Sequence, residues 1–172
     1  MRVETARKHS RTGEQLKVVA VNENEQTRRV QEAVARRAYE IFDSRGSVSW
    51  HELEDWRQAE SELLRPQCSG QMSLNDTLWI GADAAIFEEG TIEIWVAPRK
   101  MTICGKPRQD KADAHRKHIG SHPSGEMIFH AIDLPVEVDP SRVTAKFNGF
   151  SLEILLRKAQ AKPKQEARAA AA

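Results

Sequence analysis

The chain has 172 residues, and its 26 basic and 25 acidic side chains leave a formal net charge of +1, which removes any global pull toward nucleic acid or an anionic bilayer. At 40% hydrophobic and 30% charged it suits one modest domain plus appendages. No run reaches the ~18 consecutive apolar residues of a membrane helix, and residues 1–17 lack the apolar core of a secretory signal.

The only cysteines, Cys68 and Cys104, have neither C-x-x-C spacing nor a second pair to complete a tetrahedral metal site. The expectation is a soluble, cytoplasmic protein with free thiols, no cofactor, no metal, and no nucleic-acid or membrane partner. No nucleophile elbow, phosphate-cradling glycine loop, H-E-x-x-H or pair of carboxylates on an apolar background is present, so no enzyme activity is expected.

Residues 1–26 are polar and mixed in charge and read as a disordered arm, broken only by the apolar run LKVVAV at 16–21. From about Thr27, Val30, Val34, Ala38, Ile41 and Phe42 recur at helical spacing, predicting an amphipathic helix that ends near Ser44. The turn SRGSVS then leads to Ser49 and Glu52. This is an S-x-x-E capping box, in which each side chain satisfies a backbone N–H freed at a helix start. The second helix runs to about Leu64 with Leu53, Trp56, Ala59, Leu63 and Leu64 as its apolar stripe, and Pro66 stops it. Together the helices make a hairpin domain over 27–65, too small to be stable alone. Trp56 reads as core, whereas Trp50 and His51 at the helix start are better candidates for touching a partner.

Residues 66–73 read as a linker by composition. Beyond it the apolar alternation predicts strands at 77–87, 91–97, 100–105, 127–134, 142–147 and 151–156. Ile92, Ile94 and Val96 share one strand face, Met101 and Ile103 another, and Leu152, Ile154 and Leu156 a third; these faces should form the core. Short strands punctuated by Gly, Pro and Asn predict a mainly β, immunoglobulin-like sandwich over 74–159. Residues 106–124 are a polar, histidine-containing loop. His115, His118 and His122 have spacing that suits a transition metal, but no carboxylate or cysteine completes the set. Cys104, at a strand end between Lys100 and Lys106, reads more readily as packing than as redox-sensing. Residues 160–172 read as a disordered tail.

GTIEIWVAPRKMTICGKP at 90–107, followed by IDLPVEVDPSRVTAKFNGFSLEILLRK at 132–158, resembles the alpha-crystallin domain of small heat shock proteins. Gly105, Leu134, Pro135, Val138, Asp139, Val143, Ala145, Leu152 and Lys158 sit at matching positions. The departures are an Asn148-Gly149 one residue early, Arg157 for a proline, Ala84-Ala85-Ile86 for Leu-Pro-Gly, and His130 in the place of an arginine. The hairpin, through Arg37, Ala38, Tyr39, Glu40, Gly46, Leu53, Glu54, Trp56, Ala59 and Glu60, is similar to a short bacterial helical domain of unknown function.

The resemblance implies an ATP-independent, stress-related chaperone that binds partly unfolded client proteins and forms a homodimer or small homo-oligomer. It also implies a groove between two edge strands, 91–97 and 142–147, lined by Ile92, Ile94, Val96, Val143, Ala145 and Phe147. No Ile-x-Ile or Ile-x-Val follows Lys158, so cages built on that motif are not expected. Leu16 and Val18, or Val19 and Val21, offer paired aliphatics two residues apart, the spacing that lets an added strand occupy such a groove. Trp95, opposite Ile94 and Val96, should point away from the sandwich core, as client surface or under the hairpin. The rival reading is an adaptor for one folded partner.

Overall fold

The computed structural model describes residues 16–47, 49–65, 69–108 and 127–159. In chain order these form β1 (Lys17–Ala20), α1 (Glu23–Ser44), α2 (Glu52–Leu63), β2 (Ser69–Ser73), β3 (Thr77–Asp83), β4 (Glu93–Val96), β5 (Lys100–Gly105), β6 (Ile128–Asp133), β7 (Val138–Phe147) and β8 (Ser151–Lys158). Two four-stranded sheets, ordered β1-β4-β5-β6 and β2-β3-β8-β7, make the expected sandwich, and the helical hairpin adds a third layer over the first sheet.

Alternation decides which faces meet. In the second sheet Leu78 pairs with Leu156, Ile80 with Ile154 and Ala82 with Leu152, so one face of β3 and β8 is wholly apolar and buried. In the first sheet Ile94 opposes Ile103 and Val96 opposes Met101, and these close the core from the other side. The outer face of that sheet is apolar too: Trp95, Cys104 and Phe129 form a second cluster with Val34, Ile41, Ala59 and Leu63 of the hairpin. A sheet apolar on both faces must be covered on both, which is why β5 is buried along almost its whole length.

Several expectations needed correcting. The supposed unstructured arm through 26 contains β1 and the first turn of α1. Asn22 caps that helix, its side chain accepting from the Glu25 N–H at 2.7 Å. The charged start of α1 shows no apolar period, so periodicity placed the helix four residues late. The supposed linker holds β2, an edge strand so polar that only its pairing with β3 reveals it. The strand expected at 142–147 extends back through the corner to Val138 as one β7, with a register break between Val138 and Val143. At this bulge Asp139 Oδ1 accepts from Ser141 N–H at 2.9 Å and from Ser141 Oγ at 2.6 Å, and Pro140 sits where no ladder bond is needed.

The capping box does not form. The interhelical turn places Gly46, Ser47 and Trp50 at positive φ, so α2 starts with His51 as its N-cap and no side-chain cap bond. Glu52 instead accepts from Trp50 N–H at 3.3 Å, and His51 Nδ1 meets Glu54 Oε2 at 2.6 Å. Leu53 also leaves the expected stripe: it is 62% exposed, while Trp56, Ala59 and Leu63 carry the packing.

Candidate functional site

The expected groove lies where β4 of one sheet and β7 of the other run along the same side of the sandwich, and β1 lies between them. The strand expected at 91–97 is therefore not an edge. Lys17 to Ala20 pair in parallel with Glu93 to Val96, and Val21 N–H continues the ladder to Val96 O at 2.9 Å. Any extended backbone placed beside β4 gains these bonds, because an uncovered sheet edge is a row of unpaired donors and acceptors.

Side-chain period splits this strand between two cores. Leu16 and Val18 pack on the sandwich interior, as do Val143 and Phe147 from β7, while Val19 and Val21 pack on the cluster beneath the hairpin. Ile92, Ile94, Val96 and Ala145 are buried in the sandwich and do not line an open channel; Val143 and Phe147 are half-buried. Trp95 is only 6% exposed, covered by the hairpin.

Polar groups fix the register. Lys17 Nζ lies 2.7 Å from Glu93 Oε1, and Trp95 Nε1 donates to Glu93 Oε2 at 3.1 Å. Burial works to raise the Glu93 carboxyl, but the hydrogen bonds from Lys17 and Trp95 and the charges of Lys17 and Arg29 outweigh it and hold Glu93 below its ordinary value. The Arg29 guanidinium stands 5.3 Å over the Trp95 ring. Glu23 Oε1 accepts from Arg99 N–H at 3.1 Å at the start of α1. Fully buried Gln26 bridges helix and sheet: its Nε2 donates to Lys100 O at 3.3 Å, and its Oε1 accepts from Thr102 Oγ1 at 3.1 Å.

At the opposite edge of the same sheet, Leu64 bridges Phe129 in parallel and Arg65 N–H donates to Phe129 O at 3.0 Å. His130 is buried there, its Nδ1 donating to Arg65 O at 2.9 Å while Nε2 has no partner among the described residues. The exit of α2 thus fastens β6, and a histidine in this position bonds within its own chain. Burial pushes the Cys104 thiol far up, with the charge of Glu93 adding to it, so this sulfur is a packing group beneath the hairpin. Among the described residues no three of His, Cys, Asp or Glu gather to hold a metal, and no helix is long and apolar enough to cross a membrane. His115, His118 and His122 lie outside the described residues. The arrangement supplies backbone pairing and apolar burial for an extended segment.

Sequence reasoning missed Lys17, Gln26, Arg29, Glu93 and Thr102. Lys17 and Glu93 stand 76 positions apart, as do Gln26 and Thr102, and no local period links such pairs. Trp50, singled out as a partner contact, is 92% exposed at the hairpin turn.

Residues 29–65 match the model of a protein family of unknown function, DUF2934. No curated protein matches the chain. Among solved structures the chain is similar to heat shock protein 16.0 from Schizosaccharomyces pombe, at 15% identity and a TM-score of 0.43 over 62% of this chain and 99% of that one. It is similar to hspA from Xanthomonas axonopodis, at 16% identity and a TM-score of 0.43 over 55% and 94%. A small heat-shock protein from Xylella fastidiosa is similar at 16% identity and a TM-score of 0.44 over 61% and 96%.

Proposed function

We propose that the protein is an ATP-independent holdase that binds extended stretches of partly unfolded proteins along β4 and keeps them from aggregating. The observation that carries this reading is the parallel pairing of β1 with β4 beside β7, which makes the site a strand acceptor with apolar burial on both sides. The motif resemblance over 90–158 supports it, and so does a site built from aliphatic and aromatic side chains.

The test is an aggregation assay with two unrelated heat-labile proteins and no nucleotide. Suppression of both is expected, at stoichiometries near one chain per client; suppression of neither would sink the proposal. An adaptor for one folded partner remains the second reading, favoured by Trp50, which projects from the hairpin turn into solvent. An adaptor protects neither client.

A further inference from the structure

We propose that β1 is a tethered pseudo-client: the chain fills its own acceptor groove, and an outside segment binds only by displacing β1. The pattern of β1 then defines what the groove admits. It takes an extended segment running parallel to β4, with aliphatic side chains two residues apart, a basic residue between them, and further aliphatics on the basic residue's side. This inference rests on the reading of the β4–β7 groove as the client site.

Three observations converge on it. The first is a two-sided fit, in which half-buried Leu16 and Val18 pack against the sandwich core while half-buried Val19 and Val21 pack against the cluster beneath the hairpin. A segment aliphatic on one face only leaves one of these two cores unfilled. The second is charge selection. Lys17 falls on the hairpin side with Val19 and Val21, opposite Glu93, whose carboxylate takes Lys17 at 2.7 Å and Trp95 Nε1 at 3.1 Å. An acidic residue at that position sets two carboxylates side by side in a partly buried place. The third is attachment. β1 is held by one four-residue ladder and the Val21–Val96 bond, and a short connection leads from it to Asn22, the cap of α1. A strand this short at the end of its sheet is separable from the sandwich, because β4, β5 and β6 stay paired with one another without it.

Tethering sets the competition. A segment joined to its site through a short connection acts at an effective concentration on the order of millimolar, so a free segment at micromolar concentration loses to β1 even when its contacts are identical. Weakening β1 therefore opens the groove without altering it.

The experiment uses the full chain and a fluorescently labelled peptide of residues 14–23, EQLKVVAVNE. Val18→Asp sets an unpaired carboxylate against the apolar margin of the sandwich core and detaches β1, and Val18→Ala is the milder variant in case the first fails to fold. The peptide should bind both variants at least ten-fold more tightly than the unaltered chain, with the larger gain for Val18→Asp. A peptide with glutamate in place of its lysine should lose at least ten-fold on either variant. Equal affinity for the unaltered chain and Val18→Ala, or no binding to either folded variant, overturns the proposal. Peptide exchange with no protection of heat-labile proteins leaves β1 standing as a displaceable occupant and removes the holdase. Protection that is the same in all three chains, without exchange, does the reverse.

Discussion

Gln26 is the polar residue on which the docking of α1 turns. Truncating it to alanine strands the buried Thr102 hydroxyl, and the loss should be about 1–3 kcal/mol in urea unfolding. Lys100 O is not stranded, because it also accepts from Ala97 N–H at 2.8 Å. The double change Gln26→Leu with Thr102→Val should therefore recover most of that loss, since neither substitution leaves an orphan donor. Glu93 offers a second measurement. Its folded-state value lies below the unfolded one, so its stabilisation is present above the ordinary carboxylate range and is lost as pH falls through the depressed value. Asp139, held low by its bonds to Ser141, and Glu25, held low by Arg28 and Arg29, titrate with the same sign. The difference between the unaltered chain and Glu93→Gln isolates the groove. The variant should show a flatter acid limb in tryptophan fluorescence, and superimposable curves would remove the carboxylate from the register. Cys104, with its thiol pushed up, should resist iodoacetamide in a Cys68→Ser background until the protein is unfolded.

The hairpin is an element that folds by being covered and by covering. α2 has only 12 residues, and the apolar stripe it shares with α1 meets the sheet at Trp95, Cys104 and Phe129, so an excised 23–65 peptide should show no cooperative helical melt as a monomer. Trp95→Ala in the full chain should cost about 3–5 kcal/mol, read as early loss of helical signal while the β signal persists. Much at this scale was legible in the sequence. The period of Val30, Val34 and Ile41 placed α1, and strict alternation in Leu152, Ile154 and Leu156 placed β8 and its inward face. What escaped was whatever depends on a distant partner. β2 has no apolar face, and the capping residues of α2 were displaced by a turn that only positive φ at Ser47 and Trp50 makes visible. The groove was legible as a pair of strands and an apolar run in the arm. That the run could fill it followed from its paired aliphatics, but its parallel direction and register did not, because parallel pairing leaves no turn signature between Ala20 and Glu93.

As a whole the molecule has two apolar clusters that share one sheet, one inside the sandwich and one between sheet and hairpin. Native-state hydrogen exchange should resolve them. Amides of β1, α1 and α2 should open together at a lower free energy than those of β3, β5 and β8, and uniform protection across all of them would mean a single cooperative unit. The parallel pairing of β1 with β4 also fixes a timetable. Synthesis runs from the N-terminus, so β1 and both helices leave the ribosome before β4 exists, and their last partner strand, β6, is complete only at Asp133. Through that interval Val19, Val21, Val34, Ile41 and Leu63 lack the sheet that completes their burial, and on the function proposed above the nascent chain is itself a partly unfolded polypeptide of the kind the holdase would bind.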